Sequence, residues 1–212
     1  MKSANRKPKQ LKDWNKTFRL NLKLNQPGFR LVHANPVADY EPDCSINAVA
    51  VVTNDDWAKT YLDMVAHSII TKSYQMSDTV DAVMKYCKAR FAGLYTRQAE
   101  YLKIVSDYTD EGKSTETRVY AQDSLVNFAK EFAKPDMSYI VVTGVGEPHD
   151  IKIFPYGDHI TAVIGKTVVD RTNQYINDTV QQFIEIPTKL CANVKFLHEA
   201  AWKNIIKDMR HD

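Results

Sequence analysis

A chain of 212 residues with 44% hydrophobic and 10% aromatic side chains has the apolar material for one buried core, and chains of that size bury roughly 70% of their unfolded surface. Intrinsic disorder is excluded for most of it, and seven Gly with eight Pro favour long regular elements over collagen-like or low-complexity sequence. The net charge of +2 hides an asymmetry, because residues 1–24 carry eight basic side chains against Asp13 alone, which leaves the remainder mildly acidic.

Residues 1–16 therefore read as a basic arm and 17–212 as a single domain. Such an arm can contact nucleic acid or an acidic partner by counterion release, or serve only as a solvated start. No apolar run approaches the roughly 18 residues of a membrane span, and no apolar stretch of signal-peptide type follows the first lysines. The expectation is a cytoplasmic protein without membrane contact. Cys44, Cys87 and Cys191 form no CxxC pair and are odd in number, against a disulfide framework or structural zinc and in keeping with a reducing compartment.

In chain order, Thr17 to Leu24 alternates as TFRLNLKL and predicts a half-buried strand. Gln26, Pro27 and Gly28 break it, a short FRLV stretch follows, and residues 33–43 read as loop. From Asp43 the spacing turns helical, with Asp43 at the N-cap, Cys44 as first helical residue and Ile46, Val49, Ala50 and Thr53 on one face. Asp55 and Asp56 open a second helix with the stripe Trp57, Tyr61, Met64, Val65 and Ile69. A third, starting after Ser77 or Asp78, carries Val80, Val83, Met84, Cys87 and Phe91. Two further amphipathic segments, 97–109 and 119–133, predict a helical insertion spanning about 96–135. The pattern then becomes strand-like at YIVVT (139–143), HITAVI (159–164) and TVVDRT (167–172), the last two joined by Gly165-Lys166 as a two-residue hairpin turn. A helix at 177–183, a strand at 183–186 and a C-terminal helix at 194–209 complete an α+β order.

Cys44 stands out by position. A thiol at a helix start feels the positive end of the helix dipole and the unpaired backbone N–H groups, which favour thiolate. Free cysteine is also a common core residue, and Cys87 and Cys191, in apolar surroundings, read that way. With Gly165-Lys166 as the turn, Ile164 pairs with Thr167, His159 lies opposite Thr172, and His159 and Asp170 become diagonal neighbours on one face. There a carboxylate can fix the tautomer of the imidazole and leave its other nitrogen for a thiol. Ile160, Ala162, Ile164, Thr167 and Val169 give the hairpin a core side opposite this working side.

The stretches DCSINAVAVVTNDDWAKTYLDMV and DHITAVIGKTVVDRT, in that order, resemble the papain-like cysteine peptidase superfamily in the broad sense that includes transglutaminase-like enzymes. The first is similar to the D-C-x-x-x-A-[IV]-A pattern, with a following W-x-x-x-Y, of small phage and bacterial papain-fold domains. The second is similar to their H-x-x-A-[VI] strand and the acidic strand after it. About 35 of the 212 residues are covered. The resemblance implies a nucleophile-bearing N-terminal helix packed on a later antiparallel sheet. It also implies Cys44 as nucleophile, His159 as base and then acid, and Asp170 as the orienting residue. Such peptidases place a glutamine shortly before the cysteine for the oxyanion hole. Here no glutamine lies nearer upstream than Gln26, and Asn35 with the backbone N–H of Cys44 are the expected substitutes.

The implied reaction is acyl transfer through a thioester at an amide, peptide or isopeptide bond of a protein or peptide substrate, without metal or organic cofactor. The alternative is a non-catalytic papain-fold binding or structural protein, such as a phage virion component or host-factor inhibitor, that uses the basic arm for contact. In that setting the compartment would be the host cytoplasm. Two other chemistries lack support. His149, Asp150, Asp158 and His159 have no recognised metal-ligand spacing, and His159-Ile160-Thr161 has no second His-x-Thr to complete a phosphodiesterase pair.

Overall fold

The computed structural model describes residues 28–32, 34, 35, 43–72, 80–100, 102–108, 114–120, 123–144, 159–171 and 175–208. The basic arm, the strand expected at 17–24, most of the 33–43 loop, the start of the third helix, and His149, Asp150 and Asp158 lie outside them.

After strand β1 (Gly28–Leu31), three helices follow: α1 (Cys44–Thr53), α2 (Trp57–Ile70) and α3 (Val80–Arg90). Every residue of α1 after Cys44 is buried, so this helix is enclosed all round rather than lying amphipathic on a surface. It ends at Asn54 in the left-handed region, φ 55°, a conformation that Asn tolerates better than most residues. In α2 the cap is Asp56, whose carboxylate accepts the Lys59 N–H at 3.0 Å. The expected stripe of α2 is corrected at its end. Ile69 is exposed, while Asp63 is fully buried, because polar partners from α3 and the C-terminal segment converge on Asp63.

The main sheet has six strands in the order β1-β7-β6-β5-β8-β2. Its later strands are β5 (Met137–Gly144), β6 (His159–Ile164), β7 (Thr167–Asp170) and β8 (Thr179–Pro187), and β2 is Arg97–Glu100. Neighbours are antiparallel except β1, which runs parallel to β7. The wholly antiparallel expectation is thereby corrected to a mixed sheet, since β1 reaches its partner only through the long crossover that contains the helices. The β6–β7 hairpin has the expected register, with Ile164 opposite Thr167 and Ala162 opposite Val169. Gly165, at φ 58°, takes the first position of its two-residue turn, where an L side chain would be strained.

Both faces of the sheet are covered. On one, Ile140, Val142, Ile160, Ala162, Ile164, Val169, Ile184 and Ile186 pack with α1 and α3. On the other, Tyr139, Val141, Val163, Val168, Val180 and Phe183 pack with Leu125 and Phe128. The expected division of the hairpin into a core side and a working side therefore holds only at the strand ends, where His159 and Asp170 lie.

The predicted helical insertion is corrected to mostly strand. Residues 97–100 form β2, and β3 (Leu102–Tyr108) pairs with β4 (Ser114–Tyr120) in a separate two-stranded ladder. Among the described residues of that stretch, a short helix α4 (Leu125–Asn127), continued by a π-helical turn at Phe128–Phe132, is the helical part. In the β3–β4 ladder, β-branched residues at 104, 105, 115, 117 and 119 favour extended backbone. The helix expected at 177–183 is likewise a turn followed by β8. Spacing of Ile176, Val180, Phe183 and Ile184 imitates a helix, but β8 lies between β5 and β2 and buries residues on both faces, which erases alternation. The expected C-terminal helix is present but begins later, as α6 (Glu199–Asp208), and a short helix α5 (Thr188–Cys191) precedes it.

No helix of the described residues is long and apolar enough to cross a membrane.

Candidate active site

Three elements meet at one end of the sheet. The first turn of α1 presents Cys44, the first residue of β6 presents His159, and the last residue of β7 presents Asp170. β7 is held between β6 and β1, and Val32 N–H donates to the Asp170 carbonyl at 2.6 Å, so the backbone under the carboxylate is fixed on both sides. His159 and Asp170 are 3% and 2% exposed, and Nε2–H of the imidazole donates to Asp170 Oδ2 at 2.6 Å. The other carboxylate oxygen accepts the backbone N–H of Arg171 at 2.6 Å. With Nε2 engaged, Nδ1 is the ring nitrogen left for the hydrogen bond that His159 shares with Cys44.

Cys44 is only partly buried, unlike Cys87 and Cys191. Burial pushes its thiol up, but the His159 hydrogen bond, the His159 charge and the backbone N–H of Ile160 together hold it below the ordinary thiol value. For His159, burial pulls down, yet the hydrogen bonds to Asp170 and Cys44 and their charges raise it to about 9. Both shifts favour the same state, a thiolate beside an imidazolium. The other two thiols go the opposite way, pushed up by burial to about 12 at Cys87 and about 11 at Cys191.

The residue before Cys44 departs from its expected role. Asp43 occupies the N-cap position, at φ −127° and ψ 13°, but its side chain makes no capping bond. Its fully buried carboxylate instead takes the Arg171 guanidinium on Oδ1 and the Asn35 amide on Oδ2, the latter at 2.9 Å. The Ala34 N–H donates to Asn47 Oδ1 at 2.9 Å, which fastens the same upstream segment to the second turn of α1. Asn35, expected as an oxyanion donor, thus lies beside the helix start with its described hydrogen bond going to Asp43. The first backbone N–H groups of α1 have no intrahelical partner, as in any helix.

Sequence reasoning missed Tyr175. Its ring stacks on His159 with centroids 4.0 Å apart and planes at 19°. The turn that carries it is tied down by Val126 N–H to the Ile176 carbonyl at 3.2 Å and Leu125 N–H to the Asp178 carbonyl at 3.0 Å. An isolated tyrosine in a polar turn leaves no periodic signal. Arg171 was equally silent, since its partner is 128 residues away in sequence.

Among the described residues, no group of three or more His, Cys, Asp or Glu side chains is arranged to hold a metal ion. The chain matches no known family model, no curated protein and no solved structure.

Proposed function

We propose that the chain is a thiol-dependent hydrolase of papain-like type, acting on an amide, peptide or isopeptide bond through a thioester. The observation that carries this reading is the joint arrangement of Cys44, His159 and Asp170, with the thiol lowered and the imidazole raised. In it, the Cys44 thiolate attacks the carbonyl carbon, and the developing oxyanion meets the backbone N–H of Cys44 at the helix start, where the dipole favours negative charge. His159 donates its Nδ1 proton to the leaving amine. The neutral imidazole then takes a proton from water, the resulting hydroxide cleaves the thioester, and the proton returns the pair to its resting state. Asp170 keeps Nε2–H oriented and stabilises the imidazolium throughout. Asn35 acts by holding Asp43 at the helix start.

Incubation with a panel of peptide, isopeptide and glutamine-amide substrates bearing activated esters, followed by intact mass measurement, tests this reading. An acyl adduct on Cys44 that is absent in Cys44→Ala is expected. Turnover that survives Cys44→Ala contradicts it, and so does the absence of any adduct together with equal iodoacetamide labelling of all three cysteines, the result expected of a non-catalytic binding module.

A further inference from the structure

Asp43 and Arg171 are neighbours of the nucleophile and of the triad acid respectively, and they meet across 128 positions of sequence. Their side chains are 1% and 15% exposed. Removing two charges from water is costly unless each is well paired, and here the carboxylate and the guanidinium pair with each other. Asp43 also accepts from Asn35, and the backbone N–H of Arg171 donates to Asp170 Oδ1. One residue, Arg171, thus touches the carboxylate before the nucleophile with its guanidinium and the triad carboxylate with its backbone. Asp43 for its part gives up the capping bond that an N-cap aspartate ordinarily makes in favour of this pairing.

We propose that Asp43 and Arg171 form a clasp between the start of α1 and the end of β7 in which the guanidinium neutralises a carboxylate one residue from Cys44 and so favours the thiolate. This rests on the hydrolase reading above and deepens it by assigning two positioning residues. The charge part of the clasp has a sign. A bare Asp43 carboxylate next to Cys44 opposes thiolate formation, whereas a bare Arg171 guanidinium favours it. A merely structural brace has no such sign, because breaking it from either side loosens the site equally.

The test is the pH profile of Cys44 alkylation by limiting iodoacetamide in the full chain, read by peptide mass. In Arg171→Met the midpoint moves up and labelling at pH 6.5 slows about tenfold, the effect of about one unit on the thiolate fraction. In Asp43→Asn the midpoint stays or moves down. In Arg171→Lys, which keeps the charge, labelling stays within about threefold of the parent. Cys87 and Cys191 serve as folding controls, since both are buried. Should Arg171→Met expose them, Arg171→Gln, which removes the charge but keeps a polar side chain, carries the test with the same upward shift expected. Unchanged midpoints, or upward shifts in both Arg171→Met and Asp43→Asn, overturn the clasp. Failure of the underlying hydrolase reading looks different, because Cys44 of the parent protein would then show no preferential labelling at all.

Discussion

Two buried polar centres hold this molecule together, and they treat the same side-chain types in opposite ways. At the Cys44 end of the sheet, His159 faces a carboxylate and a thiol and is raised to about 9. At the centre beneath the C-terminal segment, His67 lies with Nδ1 3.0 Å from Nε2 of His198, and burial followed by the charge of that second imidazole lowers it. Asp63 in that centre accepts from the Tyr86 hydroxyl, the Leu197 and His198 backbone N–H groups and the Trp202 indole at 2.7 to 3.3 Å. All its donors are structural, and they fasten the segment before α6 to α2 and α3. Asp170 has one structural donor and one imidazole that also faces a thiol. Burial alone therefore does not mark a reactive centre. What distinguishes the Cys44 end is that its partners pull a thiol and an imidazole toward opposite charges.

Substitutions at the two centres should separate stability from reactivity. The largest effect is expected for Asp63→Ala, which strands the buried donors around it and should lower unfolding free energy by about 3 kcal/mol or more, while native Cys44 labelling at pH 6.5 is unchanged. Urea denaturation beside alkylation of the same sample checks both halves. His159→Ala should do the converse. It should slow Cys44 labelling at pH 6.5 on the order of 10- to 100-fold, because an unassisted thiol is mostly protonated there while the loss of thiolate is partly offset by its greater intrinsic nucleophilicity. Tyr175→Ala removes one aromatic stack, of the order of 1 kcal/mol, and should slow labelling only a few-fold.

The two histidines also predict opposite pH slopes. His159 is raised in the folded state, so its contribution to stability is fully present below about pH 6.5 and is lost as pH rises through about 9. His67 is lowered, so its contribution is present above the ordinary histidine value and is lost as pH falls below it. In Cys44→Ala, which removes the opposing titration of the thiol, urea midpoints should fall on both sides of about pH 6.5. Asp170→Asn should flatten the alkaline side and His67→Gln the acid side. Unchanged limbs in these variants would remove the contrast.

The site was more legible in the sequence than the sheet around it. Gly165-Lys166 between two β-branched runs fixed the register that makes His159 and Asp170 diagonal neighbours, because a two-residue turn leaves one pairing. The start of α1 at Cys44 followed from local helix signals. β2 was misread because its pairing partner, β8, lies far along the chain, and β8 because it is buried on both faces between β5 and β2, which erases alternation and leaves a chance helical spacing in its place. Arg171 and Tyr175 were invisible for the same reason. An arginine beside an aspartate reads as solvated surface until the fold places Asp43 opposite it.

The most direct measurement is the protonation state of the Cys44–His159 pair, read by NMR from the ring nitrogens of His159 and the β-carbon of Cys44 between pH 5 and 10. A thiolate signature with both ring nitrogens protonated at pH 7, persisting until the imidazole titrates near 9, is the predicted result. A neutral imidazole at pH 7 beside a protonated thiol would contradict it.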